Sequence, residues 1–351
     1  MPSTTPTLQS IPTNIITGFL GAGKTSLILN LMKSKPSDEK WAILVNEFGE
    51  IGIDGAILSG HSSEHSKSVF IREVPGGCMC CAAGLPMQIA LTQLLKEARP
   101  DRLLIEPTGL GHPKEVLQVL TSDHYRQVLS IEKTLTLVDA RNLHDKRYTE
   151  HDTFNQQIAI ADTIVGTKLD LYDSADKAIL TTYIEDHASQ EASTPSMNAT
   201  AKRIIFSDVS TINQHELEGA THYIVKPPHS HSHHSAHHHS TKPLASEISI
   251  PDSGLLKASN KGEGFYSVGW RFSPNKVFNK QQLLTLFLNL NVERLKAVFI
   301  TYDGIFSYNM TKDGLEEREL DDILESRIEV ISTSTQESLE NELLSCLEFE
   351  Y

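Results

Sequence analysis

The segment from Gly18 to Thr25 has the residue types and spacing of a phosphate-binding loop. Its sequence, Gly-Phe-Leu-Gly-Ala-Gly-Lys-Thr, matches the pattern G-x-x-x-x-G-K-[ST] in full. In such a loop the backbone amides converge on the phosphates, Lys24 reaches the β- and γ-phosphates, and the Thr25 hydroxyl binds Mg²⁺. The alternative is a glycine-rich turn that merely fits the pattern. The residues expected to contact the nucleotide phosphates are Gly18, Gly21, Ala22, Gly23, Lys24, Thr25 and Ser26.

A second motif follows an apolar run and ends in a carboxylate. Glu106 is placed to bind Mg²⁺ through a water, and Gly109 completes an E-x-x-G pattern whose glycine amide could sense the γ-phosphate. Leu110 follows, where GTPases that are fast or activatable often carry a water-orienting glutamine. We therefore expect slow intrinsic hydrolysis, with the missing group supplied by another residue or a partner protein. The candidate catalytic residues are Lys24, Thr25, Glu106 and Gly109.

The segment Thr167-Lys168-Leu-Asp170 resembles the guanine-reading motif N-K-x-D. In that motif the aspartate accepts hydrogen bonds from N1–H and the 2-amino group of guanine, and the lysine stem packs on the base. Thr167 stands where the motif has asparagine, which removes one amide partner. The sequence predicts a preference for guanine, and Asp170 argues against an ATP-using enzyme such as a small kinase. The structural alternative is an ordinary strand exit.

Three thiols lie within four residues, at Cys78, Cys80 and Cys81, after a pair of glycines. Thiolates are soft ligands that favour Zn²⁺ or Cu⁺, and zinc usually takes four ligands. Three cysteines leave one position for a carboxylate, a histidine, water or a recipient protein, which suits a carrier better than a permanent structural site. The alternatives are buried small hydrophobic side chains and redox chemistry.

A histidine-rich tract lies further along the chain. Neutral imidazoles at this density bind Zn²⁺, Ni²⁺, Co²⁺ or Cu²⁺ without a fixed geometry, so we predict weak metal buffering or acquisition. A solvated loop without a role, or a cloning tag, is the alternative. The histidines are His229, His231, His233, His234, His237, His238 and His239.

The elements that must position these residues alternate between apolar strands and helices, which indicates an α/β fold. We predict a P-loop NTPase domain over 1–225 with a mostly parallel sheet covered on both faces. The predicted strands are 14–17, 42–46, 69–74, 102–106, 134–139, 163–166 and 203–206. The predicted helices are 24–33, 85–98, 113–120, 154–161 and 175–188.

The remainder of the chain divides into a linker and a second domain. Residues 226–258, rich in Pro, Ser and His, show no period of 2 or 3.6 and are expected to form a flexible linker. A small α+β domain is predicted over 259–351, with a hairpin turning at Asp303-Gly304. Its predicted strands are 265–272, 294–302, 305–310 and 327–332, and its predicted helices are 280–290 and 336–347.

Composition excludes several classes of function. The formal charge of -14 argues against nucleic acid as a partner, because a phosphate-binding face needs a basic surplus. No apolar run approaches the ~20 residues that span a bilayer. The first ten residues are polar without a basic region, so they do not resemble a signal peptide. We therefore expect a cytoplasmic protein without membrane contact.

Together these motifs resemble the CobW-like family of P-loop metallochaperone GTPases, and within it the zinc-associated YeiR-like branch. The resemblance covers nearly all of the chain, and its combination of C-x-C-C with E-x-x-G is highly specific. It implies low GTP hydrolysis coupled to metal delivery, with Glu106 as the Mg²⁺-bridging carboxylate. It also implies zinc ligands at Cys78, Cys80 and Cys81, with Glu47 as their neighbour. The C-terminal half diverges from the family, which leaves recognition of the recipient open.

The leading hypothesis is a zinc chaperone that uses GTP and Mg²⁺. GTP would close the cysteine loop around zinc, and hydrolysis to GDP would release the metal to a client metalloprotein. This cycle requires a metal affinity that differs between nucleotide states. The alternatives are a nucleotide-switched binding or sensing module with structural zinc, and a chaperone for cobalt or nickel. The client and the oligomeric state, a homo-oligomer included, stay open.

Overall fold

The computed structural model describes residues 10–45, 68–74, 85–192, 202–223, 248–262 and 264–348. The chain forms two compact units. The main part of the first ends at Lys242, and the main part of the second begins at Pro243. The predicted linker, 226–258, falls largely outside the described residues, so its boundaries stay predictions. No helix in the described ranges combines the length and the apolar character that a bilayer crossing requires.

The first unit contains a seven-stranded sheet in the order β3-β2-β4-β1-β5-β6-β7. The pairings defined for β1 with β4 and β5, for β5 with β6 and for β6 with β7 are all parallel. These observations confirm the predicted α/β class. The strands are β1 Ile11–Gly18, β2 Trp41–Val45, β3 Val69–Glu73, β4 Arg102–Glu106, β5 Leu129–Val138, β6 Thr163–Gly166 and β7 Arg203–Phe206.

Helices alternate with these strands as the apolar pattern predicts. The nearly continuous burial along β1, β2 and β6 shows that both faces of the sheet are covered. The helices of this unit are α1 Lys24–Ser34, α2 Leu85–Ala98, α3 Pro113–Leu120, α4 Lys146–Thr149, α5 Asp152–Ala159 and α6 Asp176–Ala192. Because parallel strands end at one edge of a sheet, the residues after β1, β4, β5, β6 and β7 converge there.

The second unit is built on a six-stranded antiparallel sheet in the order β12-β11-β10-β13-β9-β8. Its strands are β8 Leu255–Gly262, β9 Phe265–Phe272, β10 Arg294–Thr301, β11 Gly304–Thr311, β12 Gly314–Leu320 and β13 Ser326–Ser332. Its helices are α7 Lys280–Asn289 and α8 Leu339–Ser345. The α+β prediction for this region is confirmed.

The core of the second unit lies between one face of its sheet and the two helices. Phe287 of α7 and Leu343 of α8 pack in one buried cluster with Trp270, Phe299 and Tyr308 of the sheet. The aromatic rings meet mostly edge-on or tilted, as for Phe278 and Phe299, whose centroids are 4.6 Å apart. This apolar cluster is the hydrophobic core of the second unit.

The sequence prediction differs from the structure at three places in this unit. The strands β8 and β12 were not predicted, and β8 begins inside the segment assigned to the linker. The predicted turn at Asp303-Gly304 is wrong by one residue. Gly304 already pairs with Thr301 in the hairpin, so the loop consists of Tyr302 and Asp303. The last helix is also shorter at both ends than the predicted 336–347.

Candidate functional site

The phosphate-binding loop connects the end of β1 to the start of α1, as its motif predicts. Gly18, Gly21 and Gly23 adopt φ angles of 144°, 69° and 99°, which residues with a Cβ rarely adopt. Gly18 is constrained further, because a Cβ there would lie 2.5 Å from the carbonyl oxygen of Leu137. The backbone can therefore follow this tight path past β5 because these positions have no side chain.

The Lys24 ammonium lies inside the loop. Lys24 is 6% exposed, and its Nζ donates hydrogen bonds to the carbonyl oxygens of Gly18 and Phe19 at 2.9 and 3.3 Å. The E-x-x-G turn lies against the same atom, since a Cβ on Gly109 would be 3.1 Å from Nζ and 3.0 Å from the Leu20 amide nitrogen. The structure thus brings the loop lysine and the turn at Gly109 close together.

A hydroxyl and a carboxylate meet beside this lysine. The Thr25 hydroxyl donates a 3.1 Å hydrogen bond to Oε1 of Glu106, which is 3% exposed. Mg²⁺ prefers such hard oxygen ligands and is commonly held by one or two protein groups together with waters and substrate phosphates. The pair fits an ion of this kind. Ala22 is buried and Ser26 is partly exposed on the same loop and helix.

The turn after Glu106 is held from within the protein. The Gly111 amide donates to the Thr108 carbonyl at 3.0 Å, and the Leu110 side chain is fully buried. A buried apolar side chain cannot orient a water on the nucleotide, which agrees with the expected slow hydrolysis. The Gly109 carbonyl accepts a 3.0 Å hydrogen bond from Nε2 of Gln157 on α5. Sequence reasoning missed Gln157, which belongs to no nucleotide-binding motif.

The loop after β6 is tied to the phosphate-binding loop through Thr167. Its hydroxyl donates to the Ala22 carbonyl at 3.0 Å, and the residue is 1% exposed. Lys168 follows with a left-handed φ of 59°, and Asp170 is exposed at the start of a short 3-10 helix. The threonine therefore supplies a hydrogen bond between the two loops, and the aspartate remains accessible to a base.

A buried carboxylate that the sequence analysis did not identify, Asp139, lies close to the Lys168 ammonium. Asp139 is buried at the end of β5, with Oδ2 3.7 Å from Nζ of Lys168 and 2.6 Å from Nη2 of Arg141. Beside it the Tyr172 hydroxyl accepts a hydrogen bond from the Ala140 amide at 2.9 Å. Burial, more than any other factor, raises the pKa of Tyr172 to about 12. The position of Asp139 directly after a buried parallel strand was the signal that could have identified it.

The loop after β7 also reaches this edge. A Cβ on Gly23 would lie 3.7 Å from the Val209 side chain, and Asn30 of α1 donates to the Ile212 carbonyl at 2.9 Å. Within the loop, the Ser210 amide donates to Asp208 at 2.8 Å and lowers the pKa of that carboxyl. This loop was missed because its residues match none of the motifs used.

The predicted zinc ligands lie outside the described residues. These are Glu47, Cys78, Cys80, Cys81 and the seven histidines between His229 and His239. In the part of the chain that the structure describes, no group of three or more His, Cys, Asp or Glu side chains is arranged to hold a metal. The fourth cysteine, Cys346, is buried in the second unit, and burial raises the pKa of its thiol.

The chain is similar in sequence to several known proteins. The chain is 38% identical over 325 residues to the zinc chaperone YeiR of Escherichia coli, covering 92% of this chain and 93% of that protein. It is 32% identical to the zinc chaperone CobW of a Sinorhizobium species, over 47% of this chain and 52% of that protein. It is 30% identical to the zinc-regulated GTPase metalloprotein activator 1 of Schizosaccharomyces pombe, over 48% of this chain and 41% of that protein.

Solved structures of related folds also match. The zinc-bound YjiA GTPase of Escherichia coli aligns with 97% of this chain at 18% identity and a TM-score of 0.41, which is too low for a comparison of positions. The family model described as CobW/HypB/UreG, nucleotide-binding domain, matches residues 12–218. That range covers every described element of the nucleotide site. The chain therefore belongs to the CobW/HypB/UreG family of nucleotide-binding proteins.

Proposed function

We propose that this protein is a Mg²⁺-dependent GTPase that acts as a zinc chaperone, coupling slow GTP hydrolysis to transfer of zinc to a client protein. The observation that carries the proposal is the close approach of the Gly109 turn to Lys24, next to the paired Thr25 and Glu106. This geometry supports a site that distinguishes a triphosphate from a diphosphate. The similarity of the chain, over nearly its whole length, to the zinc chaperone YeiR supports zinc as the cargo.

The phosphate site would take Mg·GTP. Thr25 and Glu106 would hold Mg²⁺, which neutralises phosphate charge during hydrolysis. Lys24 and the loop amides would bind the phosphates, and the Gly109 N–H would contact the terminal one. The exposed Asp170 would select guanine, with Thr167 and Asp139 holding its loop in place. The buried Leu110 leaves water activation to another group, which supports slow turnover.

The zinc site would form close to this nucleotide site. Glu47 follows the end of β2 by two residues and Cys78 follows the end of β3 by five, and β3, β2 and β4 are consecutive in the sheet. Glu106 ends β4. The Glu47 segment therefore follows the strand next to β4, and the segment with the soft thiolates follows the strand beyond it. The histidine tract would collect metal weakly, and the cytoplasm is the proposed location.

Zinc affinity in two nucleotide states tests this function. We expect a competing chromophoric chelator to report zinc bound at least about fivefold more tightly with Mg²⁺ and a non-hydrolysable GTP analogue than with GDP, the low end of ordinary coupling energies. The assay uses a variant with the seven tract histidines replaced by serine, so that weak sites do not contribute. Equal zinc affinity in both states would refute the chaperone cycle.

A matched variant separates a carrier from a protein with structural zinc. Replacing Cys78, Cys80 and Cys81 with serine should abolish tight zinc binding and leave the thermal midpoint and the GDP affinity unchanged. A large fall in thermal stability would instead assign the metal a structural role, because structural zinc contributes folding free energy directly. Competition of zinc with Co²⁺ and Ni²⁺ in the same assay identifies the preferred metal.

A further inference from the structure

Gln157 on α5 is buried completely and contacts the turn that carries Gly109. Its Nε2 donates to the Gly109 carbonyl at 3.0 Å, and its own backbone carbonyl accepts a 2.8 Å hydrogen bond from the Thr136 hydroxyl on β5. The glutamine is therefore held by the central sheet on its backbone side and holds the turn with its side chain. The position of the Gly109 carbonyl is thus set by the sheet through one side-chain amide.

The amide oxygen of Gln157 indicates why a glutamine is present at this position. Oε1 of Gln157 is buried and has no hydrogen-bond partner among the described residues. Such an acceptor is costly, and native proteins contain few of them. A methionine or leucine would fill a similar volume without this cost. Packing therefore does not account for the residue, whereas the hydrogen bond to Gly109 does.

Holding the Gly109 carbonyl affects the neighbouring N–H. The carbonyl belongs to the peptide after Gly109, whereas the N–H that would contact the terminal phosphate belongs to the peptide before it. Holding the carbonyl confines the position of Gly109, and the direction of its N–H is then set by rotation about φ, which glycine permits more freely than any other residue. The Cα of Gly109 lies close to Lys24, since a Cβ built on it would be 3.1 Å from Nζ.

We propose that Gln157 is the positioning residue for recognition of the terminal phosphate: it holds the Gly109 carbonyl and thereby keeps the Gly109 N–H within reach of the phosphate bound at Lys24. Gln157 does not touch the nucleotide and acts through Gly109. The inference rests on the proposed role of Gly109 in nucleotide binding and is independent of zinc. Nucleotide affinities measured without zinc therefore test it separately from the chaperone cycle.

The first test compares two adjacent glutamines on α5. Gln157→Met removes the hydrogen bond to Gly109, whereas Gln156→Met removes a contact with the His112 ring at 3.2 Å and leaves Gly109 untouched. For Gln157→Met we expect a roughly three- to tenfold weaker affinity for a non-hydrolysable GTP analogue with Mg²⁺, the range for one hydrogen bond, and a GDP affinity within about twofold of wild type. Gln156→Met should change neither affinity.

The second test gives a pH-dependent signature that loss of packing would not produce. In Gln157→Glu, the protonated carboxyl can donate a hydrogen bond to the Gly109 carbonyl, and the ionised form can only accept. Because complete burial raises the pKa of a carboxyl, the affinity for the analogue, divided by that of wild type at each pH, should approach one at pH 5.5 and fall as pH rises to 8.5. The ratio for GDP should stay flat.

Each alternative result overturns the proposal. Equal loss of GDP and analogue affinity in Gln157→Met would show a purely structural role. Unchanged affinities of Gln157→Met for both nucleotides would show that the hydrogen bond from α5 to Gly109 is not needed. An equal loss of analogue affinity in Gln156→Met would show that the loss arises from the helix as a whole. A Gln157→Glu variant whose affinity for the analogue, relative to wild type, is as low at pH 5.5 as at pH 8.5 would exclude the hydrogen bond as the cause, even if Gln157→Met folded poorly.

Discussion

The Thr25 hydroxyl donates a 3.1 Å hydrogen bond to Oε1 of Glu106, a residue 81 positions away in the chain. The contact follows from the sheet, because β1 and β4 are parallel neighbours and Thr25 and Glu106 lie near their carboxyl ends. The protein thereby brings together the two oxygens expected at a Mg²⁺ site. Little reorganisation would be needed when the ion binds with the nucleotide.

The first prediction concerns this pair. Thr25→Val removes the hydroxyl with little change in volume, and Thr25→Ser retains it. We expect Thr25→Val to raise the Mg²⁺ concentration for half-maximal GTP hydrolysis at least about tenfold, because one of the few protein ligands of the ion is lost. Thr25→Ser should stay within about threefold of wild type, as expected when the hydroxyl is kept. A Mg²⁺ titration of phosphate release measures both, and equal curves for valine and serine would contradict the role.

The second prediction concerns the loop that reads the base. Thr167→Val deletes the hydroxyl that donates to the Ala22 carbonyl, and Thr167→Ser keeps it. Loss of one buried hydrogen bond corresponds to a roughly three- to tenfold weaker affinity for GDP. Serine should bind GDP within about twofold of wild type. Calorimetric titration of GDP distinguishes the two, and a valine variant that binds like wild type would show that the loop is held by other contacts.

The strands and the helix that carry the nucleotide motifs could be predicted from the sequence because each has a local signal. Glycines with left-handed φ angles, a lysine at the start of a helix and a carboxylate at the end of a buried strand each carry a local signal. The parallel sheet then brings the loop at Gly18, the carboxylate at Glu106 and the loop at Thr167 to one edge. The predicted strands 102–106, 163–166 and 203–206 match the structure residue for residue.

The elements that were missed have no such signal. The strands β8 and β12 lie at the two edges of their sheet and carry polar residues in place of an apolar alternation, as in Lys257 and Glu317. Edge strands form because a neighbour pairs with them, which the local sequence does not show. Gln157 was missed for a similar reason, since its role depends on a turn 48 residues earlier in the chain.

The third prediction separates backbone strain from steric contact in the phosphate-binding loop. Gly18→Ala and Gly23→Ala both place a Cβ at a left-handed φ, a strain of about 1–3 kcal/mol. A Cβ at Gly18 would also lie 2.5 Å from the Leu137 carbonyl oxygen, whereas at Gly23 the nearest atom is 3.7 Å away. Gly18→Ala should therefore lower the thermal midpoint of the nucleotide-free protein by more than Gly23→Ala does. Equal midpoints would contradict the contact with β5.

The last prediction follows from the raised pKa of Tyr172. Because burial raises this pKa from 10 to about 12 in the folded protein, the unfolded chain loses the phenolic proton first as pH rises. The stabilising contribution is complete below pH 10 and is lost as pH rises through 12. With a discount for partial exposure, we expect a loss of roughly 1–2 kcal/mol over that window. Urea unfolding of the first unit at pH 8, 10 and 11.5 measures it.

The variant Tyr172→Phe isolates this contribution. It should be less stable by about 1 kcal/mol at pH 8, because the Ala140 amide loses its acceptor, yet it should lose less stability than wild type between pH 10 and 11.5. Parallel profiles for Tyr172→Phe and wild type would show that the phenol titrates alike in the folded and unfolded chain, and that burial of Tyr172 does not stabilise the loop beside Asp139.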